Sequence, residues 1–338
     1  MYEQHFGLKK NPFGMTPEPA LLYMTPGHRE ALAGLAYAIL ERKGFVMLTG
    51  EAGTGKSTLL ARTLQQLPAS RVVTSVILNP TLTEAEFLEL AMMDFGFPAV
   101  PASKAQRLTQ LQEFLLRSRE AGKIAVLVVD EAHKLSPAVL EEVRLLSNFE
   151  LPGEKLLQIV LAAQEELLAT LNRPELRQFS QRISVRLSLV PLEPGDVEQY
   201  VALRWSRAGS KVPPPFTPEA YPEIARWSRG IPRLVNAICD NALMNALTEK
   251  PPVAGPRQVR EAARDLSLLQ TAAGEPAAPR PPAAAAMPAR AVRAAETIDA
   301  LPRSPSAPLR VRRPVAEAKQ ARLSRWMTKL GFVRQEVQ

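Results

Sequence analysis

Eight consecutive residues near the start of the chain have the types and spacing of a phosphate-binding loop. Residues 50–57 match Gly-x-x-x-x-Gly-Lys-Ser/Thr at every fixed position. They follow an apolar run at residues 45–49 that predicts a strand, and they precede a helical pattern at residues 57–66. The glycines allow the backbone to curl so that its N–H groups, together with the start of the helix, face phosphate oxygens. This pattern predicts a nucleoside triphosphate site.

The members of this loop have separable roles. Lys56 can reach the β- and γ-phosphates, and the Ser57 hydroxyl can ligate Mg²⁺. The predicted cofactors are therefore ATP and Mg²⁺. The predicted nucleotide-binding residues are Gly50, Glu51, Ala52, Gly53, Thr54, Gly55, Lys56, Ser57 and Thr58.

A second apolar run, at residues 124–129, ends in two acids, Asp130 and Glu131. Asp130 suits contact with Mg²⁺, either directly or through water, and Glu131 suits a base that polarises the attacking water. Phosphoryl transfer needs mainly positioning and charge stabilisation, so these roles are sufficient for hydrolysis. His133 completes an Asp-Glu-Ala-His string that suggests a helicase, but no second α/β unit follows residue 190. His133 is therefore predicted to be a neighbour of the site and not part of its chemistry.

The elements that must position these residues alternate between short apolar runs and helical patterns. The apolar runs lie at residues 44–50, 72–78, 124–130, 157–163 and 183–190. Such runs are typical of parallel strands that helices cover on both faces. Between them, Thr83 and Ser103 are each followed three residues later by Glu or Gln, which predicts capping boxes. The pattern predicts a three-layer α/β P-loop core at residues 1–190.

The sequence changes character after this core. Helical patterns without a strand candidate predict a small helical lid subdomain at residues 191–269. Residues 270–318 contain 9 prolines and 16 alanines in 49 positions, so they cannot bury enough apolar surface to offset their ordering entropy. They are predicted to form a disordered linker. Residues 319–338 are predicted to contain a short amphipathic basic helix, with Trp326 on its apolar face.

The net charge of +8 is unevenly distributed. Lys and Arg number 30 against 29 acids in residues 1–269, but 12 against 5 in residues 270–338. The basic excess therefore belongs to the tail and says little about the globular part. The single cysteine, Cys239, excludes a disulfide framework and fits a reducing compartment.

The sequence also bears on localisation. No run approaches the roughly 18 apolar residues needed to span a bilayer, and the first residues do not form a signal peptide. A cytoplasmic location is predicted. Three alternatives apply to the terminal helix at residues 319–334: it binds the inner membrane peripherally, it docks on a partner, or it has no order at all.

Short segments outside the nucleotide motifs carry a family resemblance. They lie at residues 2–13, 16–19, 28–32, 44–45, 157–164, 173–177, 181–183 and 230–234. Together with residues 50–58 and 128–133, they resemble the general secretion pathway protein A (ExeA-type) AAA+ ATPases, from about residue 2 to residue 266. The resemblance implies an AAA+ α/β core with a helical lid, working as a homo-oligomer such as a ring.

The resemblance also implies roles for individual residues. Gln164 would be the sensor that contacts the γ-phosphate or the attacking water, and Arg233 would be the sensor arginine of the lid. Arg182, or failing it Arg177, would be the arginine finger that reaches a neighbouring subunit, with an effect of about 10³–10⁵ in rate. Each arginine also has a purely structural alternative. Arg177 and Arg182 would form a solvated helix face, and Arg233 would pair with a residue within the lid.

The resemblance further places the N-terminal aromatic residues and His28 near the adenine. From the residues alone, Phe6 and Phe13 are equally well explained as packing residues.

The sequence departs from the family pattern in two places. Where the family usually has Gly-Gln-Pro-Glu-Leu, residues 163–167 read Ala-Gln-Glu-Glu-Leu, so a different local turn is expected. Family members typically continue through a transmembrane helix into a periplasmic part, whereas here the linker and the short helix follow the lid. This difference favours a cytoplasmic relative coupled to secretion or exopolysaccharide machinery.

Three functions from different classes remain open. The first is an ATPase that hydrolyses Mg·ATP to assemble or remodel a protein complex of a secretion or envelope system. The second is an ATP-dependent DNA-binding regulator similar to the transposition ATPases TniB and MuB, which the basic tail supports and the nearly neutral residues 1–269 disfavour. The third is a nucleotide-binding scaffold that barely turns over.

Overall fold

The computed structural model of the protein describes residues 2–16, 18–78, 80–249 and 252–268. The predicted linker at residues 270–318 and the predicted helix at residues 319–338 lie outside the described residues. The basic excess of the tail lies there too.

A five-stranded parallel sheet forms the centre of the core. Its strands are β1 (Phe45–Gly50), β2 (Val72–Ile77), β3 (Ile124–Val129), β6 (Leu157–Ala163) and β7 (Ile183–Leu189). Their order across the sheet is β2-β3-β6-β1-β7. Each predicted strand is present, and the predicted ends differ from the observed ones by at most one residue. A separate antiparallel hairpin of β4 (Glu150–Leu151) and β5 (Glu154–Lys155) lies before β6.

Helices occupy both faces of the sheet and continue after its last strand. They are α1 (Tyr2–His5), α2 (Pro26–Leu40), α3 (Lys56–Gln66), α4 (Glu84–Phe95), α5 (Lys104–Glu120), α6 (Pro137–Leu146), α7 (Glu166–Leu171), α8 (Arg177–Ser180), α9 (Asp196–Arg207), α10 (Ala220–Ser228), α11 (Pro232–Ala246) and α12 (Pro256–Asp265). The α/β fold with parallel strands is therefore confirmed.

The alternation of side chains along the central strands explains the three layers. In β1, Val46 and Leu48 pack on one face with α2 and α3, whereas Phe45 and Met47 pack on the other face with α4, α5 and α6. Every residue of β1, β3 and β6 is buried. Burying one Val, Leu or Phe side chain contributes roughly 1.5–3 kcal/mol, so both faces must be covered for such strands to be stable in water.

The two predicted capping boxes have different outcomes. At α4, the Thr83 Oγ1 accepts a hydrogen bond from the Glu86 N–H at 3.3 Å, and the Glu86 carboxylate accepts one from the Thr83 N–H at 2.9 Å. The prediction at Ser103 is wrong, since Ser103 precedes α5 without a side-chain capping bond. The start of α5 is instead tied to the preceding loop by Arg107, whose Nε donates to the Pro101 carbonyl at 2.5 Å.

The helices α9–α12, which we call the lid, pack around a hydrophobic cluster separate from the sheet. In the described part of this region, β-type pairing is limited to one isolated parallel bridge, between Phe216 and Ala254. Four helices, α9–α12, lie in this region, in agreement with the helical patterns that predict a lid subdomain at residues 191–269.

The N-terminal segment, residues 2–16, packs against the lid and not against the sheet. Tyr2 and Phe13 belong to the hydrophobic cluster of the lid. The Trp205 ring lies 5.4 Å from that of Phe6 and 6.4 Å from that of Phe13. Arg204 of α9 donates to the Pro12 carbonyl at 2.6 Å. Assigning this segment to the core at residues 1–190 is therefore wrong, because its aromatic side chains find their apolar partners in the lid.

Replacing Phe13 by Ala tests this packing. The Phe13 ring is 1% exposed, so we expect Phe13→Ala to lower the free energy of unfolding by about 3–5 kcal/mol. His5 is exposed on the same segment, so His5→Ala should change the free energy by about 0.5 kcal/mol or less. Urea denaturation followed by tryptophan fluorescence measures both values. Equal values for the two variants would contradict the observed docking of the segment.

Candidate active site

The phosphate-binding loop connects the end of β1 to the first residue of α3. Gly55, directly before α3, has a φ of 101°, which turns the chain into the helix. Gly50 has a φ of 150°, and a Cβ there would lie only 2.4 Å from the Leu189 carbonyl oxygen on β7. A glycine is therefore required where β1 and β7 approach each other at the start of the loop.

Lys56 lies inside the loop with its ammonium group close to the backbone. Its side chain is nearly buried, and Nζ donates to the carbonyls of Gly50 at 2.7 Å and Glu51 at 2.8 Å. Burial lowers the pKa of Lys56, while the carboxylates of Glu131 and Asp130 oppose this shift. The ammonium is thus held in a partly desolvated position, where its attraction for a phosphate is stronger than in water.

Ser57 and Asp130 are joined by a hydrogen bond, in which the Ser57 Oγ donates to the Asp130 Oδ2 at 2.6 Å. The other carboxylate oxygen of Asp130 accepts from the Glu131 N–H at 2.9 Å. Asp130 is 4% exposed, and burial raises the pKa of its carboxyl group. A hydroxyl and a carboxylate placed together are the oxygen ligands that Mg²⁺ prefers. The donor set therefore fits a magnesium ion.

Glu131 has an unusual backbone conformation. Its φ of 55° lies in the left-handed region, which costs a residue with a side chain of order 1–3 kcal/mol. Its carboxylate borders the cleft described below. The Glu131 Oε2 lies 3.3 Å from the Lys134 Nζ and 3.6 Å from the His133 Nε2. The strained turn directs the chain away from the line of β3 immediately after Asp130.

Gln164 follows the last residue of β6 and contacts His133. The main-chain N–H of Gln164 donates to the His133 Nδ1 at 3.4 Å, and the Gln164 Nε2 lies 3.0 Å from the His133 Nε2. The side chain of His133 also approaches Glu131. The prediction that His133 would be a neighbour of the site agrees with its position, but nothing in the residue types indicates its contact with both Glu131 and Gln164.

Arg233 connects the lid to the phosphate-binding loop. Its main-chain N–H donates to the Gly53 carbonyl at 3.3 Å, and it lies in the first turn of α11. Among the described residues, no hydrogen bond or ion pair engages its guanidinium group, so the alternative of a pairing within the lid is not observed. A Cβ on Gly53 would lie 2.8 Å from the Arg233 Cβ, which shows how closely the loop and the lid approach.

A cleft between the core, the N-terminal segment and the lid contains most of the predicted residues. It is lined by Gly14, Met15, Thr16, Glu18, Leu21, Leu22, Tyr23, His28, Ala52, Gly53, Thr54, Gly55, Lys56, Ser57, Thr58, Glu131, Gln164, Leu192, Tyr200, Arg204, Pro232, Arg233 and Asn236. Asp130 lies directly beneath this surface, bonded to Ser57. Gly50 and Glu51 supply the carbonyls that hold Lys56.

The N-terminal aromatic residues and His28 differ in their relation to the cleft. Phe6 and Phe13 are not among its lining residues and pack against the hydrophobic cluster of the lid, as the alternative of packing residues predicts. His28 does line the cleft, with its Nε2 3.4 Å from the Thr54 carbonyl and its Nδ1 2.7 Å from the Thr25 hydroxyl. Burial lowers the pKa of His28, which favours a neutral ring.

Arg182 and Arg177 lie away from this cleft. The Arg182 Nη1 donates to the Ser147 hydroxyl at 3.0 Å and to the Asn148 side-chain oxygen at 2.7 Å, just after α6. Arg177 is exposed at the start of α8. Neither is among the residues that line the cleft of their own chain.

Apart from Arg233, the residues that the lid contributes to the cleft were not singled out from the sequence. The Tyr200 hydroxyl donates to the Asn236 side-chain oxygen at 2.8 Å, and Arg204 extends from the next turn of α9. Tyr200 and Arg204 are four residues apart and therefore share one helix face. Two polar groups on the buried face of an amphipathic helix were the available signal, but this pattern does not specify a ligand.

Comparisons with known proteins agree with this geometry. A family model described as an AAA domain matches residues 39–171. The Aeropyrum pernix ORC1 protein in complex with DNA is similar in structure, with a TM-score of 0.56 and 18% identity over 75% of this chain and 70% of that chain. Cdc6p from Pyrobaculum aerophilum has a TM-score of 0.55 and 18% identity over 72% of this chain and 68% of that chain. Similarity at this level of identity shows the fold alone.

The fold and the site define the protein as a P-loop ATP hydrolase of the AAA class. General secretion pathway protein A of Aeromonas hydrophila is 47% identical over 247 residues, which cover 73% of this chain and 45% of that protein. Over the matched residues, the chain resembles the general secretion pathway protein A family of AAA ATPases. It spans less than half the length of this relative. Within the described part of the chain, no helix combines the length and apolarity needed to cross a membrane.

Replacing Gly53 by Ala tests the contact between the loop and the lid. The new methyl group would meet the Arg233 Cβ at 2.8 Å, so we expect it to separate α11 from the loop and to weaken ATP binding by about tenfold or more. Gly153 is a matched control, since its φ of 78° imposes similar backbone strain but a Cβ there meets nothing within 4 Å. Calorimetric titration with Mg·ATP measures both variants. Equal affinities would show that the close approach has no role in binding.

Proposed function

We propose that hydrolysis of Mg·ATP in this cleft drives the assembly or remodelling of a protein complex. The observation that carries the proposal is the hydrogen bond from Ser57 to the buried Asp130 at 2.6 Å, directly beside Lys56. It unites a hydroxyl, a carboxylate and an ammonium at the end of β1. These groups are suited to hold a magnesium ion and the phosphates that the ion bridges.

Five residues at the cleft have separate roles in this proposal. Mg²⁺ would be held by Ser57 and Asp130 and would neutralise phosphate charge. Lys56 binds the β- and γ-phosphates, and Glu131 polarises the attacking water. Gln164 senses the terminal phosphate or that water. These roles fit residues whose contacts place them around one cleft.

The lid supplies the step from chemistry to motion. Arg233 is directed to the terminal phosphate from α11, and its backbone is bonded to Gly53 in the loop. When the terminal phosphate leaves, the guanidinium loses its partner, and the lid loses one of its contacts with the core. A difference in lid position between the ATP and ADP states could then act on a partner protein.

Arg182 and Arg177 support an oligomer in this proposal. Neither lines the cleft of its own chain, so each is a candidate to complete the cleft of a neighbouring subunit. Arg182 is the favoured finger because Ser147 and Asn148 hold its guanidinium in a defined orientation. An arginine that adds positive charge only in the assembled form couples hydrolysis to oligomerisation, as in a ring.

The identity of the remodelled complex is proposed from the relative. General secretion pathway protein A is named for a secretion pathway, and it is 47% identical over the matched residues. We therefore propose a complex of a secretion or envelope system as the partner, reached from the cytoplasm or at the inner membrane.

DNA binding is the second candidate function. One observation favours it: the basic excess in residues 270–338. A gel-shift titration over a range of salt concentrations separates the two functions. ATP-dependent binding with a steep salt dependence supports DNA as the partner, whereas no binding at physiological salt supports a protein partner.

Two substitutions test hydrolysis against a scaffold that binds nucleotide and barely turns over. Glu131→Gln keeps the size of the side chain but removes its charge, so we expect ATP binding to persist while the hydrolysis rate falls by about 10²-fold or more. Lys56→Ala should abolish binding, because the loop loses its ammonium. Single-turnover hydrolysis and calorimetry measure the two effects. A Glu131→Gln rate equal to that of the wild type would favour the scaffold.

Mixing two inactive variants tests the arginine finger. Arg182→Ala should lose about 10³-fold or more in rate but still bind ATP, whereas Lys56→Ala keeps its Arg182 and cannot bind. Mixed subunits should recover hydrolysis, because one variant supplies the nucleotide and the other the finger. Absence of recovery would contradict action between subunits. A wild-type rate for Arg182→Ala would transfer the role to Arg177, whose Ala variant is tested in the same mixture.

A further inference from the structure

His133 lies behind the two residues that face the terminal phosphate in the proposed function. Glu131 and Gln164 line the cleft, but His133 is not among the lining residues. Its side chain is 14% exposed and contacts both of them. The strand β3 leads into Glu131 and β6 leads into Gln164, and these strands are neighbours in the sheet. His133 therefore joins the ends of two adjacent strands behind the reacting groups.

The contacts determine which ring nitrogen carries the hydrogen. The main-chain N–H of Gln164 can only donate, and it points to the His133 Nδ1 at 3.4 Å. Nδ1 must therefore be the acceptor, so the hydrogen of the neutral ring is on Nε2. The Glu131 Oε2, 3.6 Å from Nε2, favours a hydrogen at the same place. A histidine whose two nitrogens have different neighbours in this way is held in one tautomer.

This tautomer determines the orientation of the Gln164 side-chain amide. The nearest amide atom lies 3.0 Å from the His133 Nε2, and two N–H groups cannot bond to each other. Since the amide can turn by 180°, its carbonyl oxygen accepts from the Nε2–H. The NH₂ group of Gln164 is then left for the cleft. A phosphate oxygen accepts hydrogen bonds and does not donate them, so the orientation that presents the NH₂ group to the cleft is the productive one.

We propose that His133 is a positioning residue for ATP hydrolysis, which fixes the Gln164 amide with its NH₂ group toward the terminal phosphate and restrains the Glu131 carboxylate beside it. The inference rests on the proposed roles of Glu131 and Gln164. Because His133 does not line the cleft, its loss should affect the chemical step and leave ATP binding almost unchanged. Lys134 gives Glu131 a second contact, 3.3 Å away, so the effect through Gln164 should dominate.

The test compares four variants of the full chain: His133→Leu, His133→Gln, Gln164→Leu and the double variant His133→Leu/Gln164→Leu. Leu fills similar space without a polar atom, so His133→Leu should lower kcat by about tenfold and change the KM for ATP by no more than about twofold. His133→Gln restores one donor and one acceptor, and it should recover most of the lost kcat. The exposed His5, changed to Leu, is the matched control and should behave as the wild type.

The double variant separates positioning from a general structural effect. If His133 acts through Gln164, the double variant should be no slower than Gln164→Leu alone. Multiplied rate losses would overturn the proposal, as would a wild-type kcat for His133→Leu or equal losses in kcat and ATP affinity. Thermal unfolding shows whether His133→Leu is folded. If it is not folded, a His133→Gln variant that binds ATP normally but hydrolyses it slowly would also overturn the proposal. A wild-type protein without hydrolysis would instead overturn the proposed function.

Discussion

The central constraint in this protein is that parallel strands end at the same edge of their sheet. Strands β1 and β3 are not adjacent, because β6 lies between them, yet their ends bring Ser57 and Asp130 within a 2.6 Å hydrogen bond. The third strand, β6, delivers Gln164 to the same edge. Burial of both faces makes this arrangement rigid, since every residue of the three strands lies in the core. The chemistry of the site therefore depends on the packing of the sheet.

The residues around the cleft divide between a rigid part and a part that can move. The phosphate-binding loop and the two acids belong to the core, whereas Arg233, Tyr200 and Arg204 belong to the lid. The lid has a hydrophobic cluster of its own. Its polar link to the loop includes the hydrogen bond from Arg233 to Gly53. Two separate cores joined across a polar cleft can change their relative position without unpacking either core.

Much of the fold and of the loop could be predicted from the sequence because both depend on local pattern. The five apolar runs predict the strands, and the glycine-rich loop predicts the turn into α3, from residues that are close together in the sequence. Contacts between distant residues could not be predicted in this way. The docking of Phe13 on Trp205 and the link from His133 to Gln164 depend on tertiary packing, and the capping bond expected at Ser103 is absent although the residue types fit it. The strained φ of Glu131 likewise has no signature in the residue types.

The packing of the N-terminal segment on the lid has a mechanical consequence. The chain starts in the lid, crosses to the core at residues 14–25, and returns to the lid after β7. Two backbone connections, rather than one, therefore span the two bodies. A subdomain attached by one connection can rotate in any direction. One attached by two connections rotates about the axis that passes through both of them. The two crossings thus limit the lid to one main direction of swing.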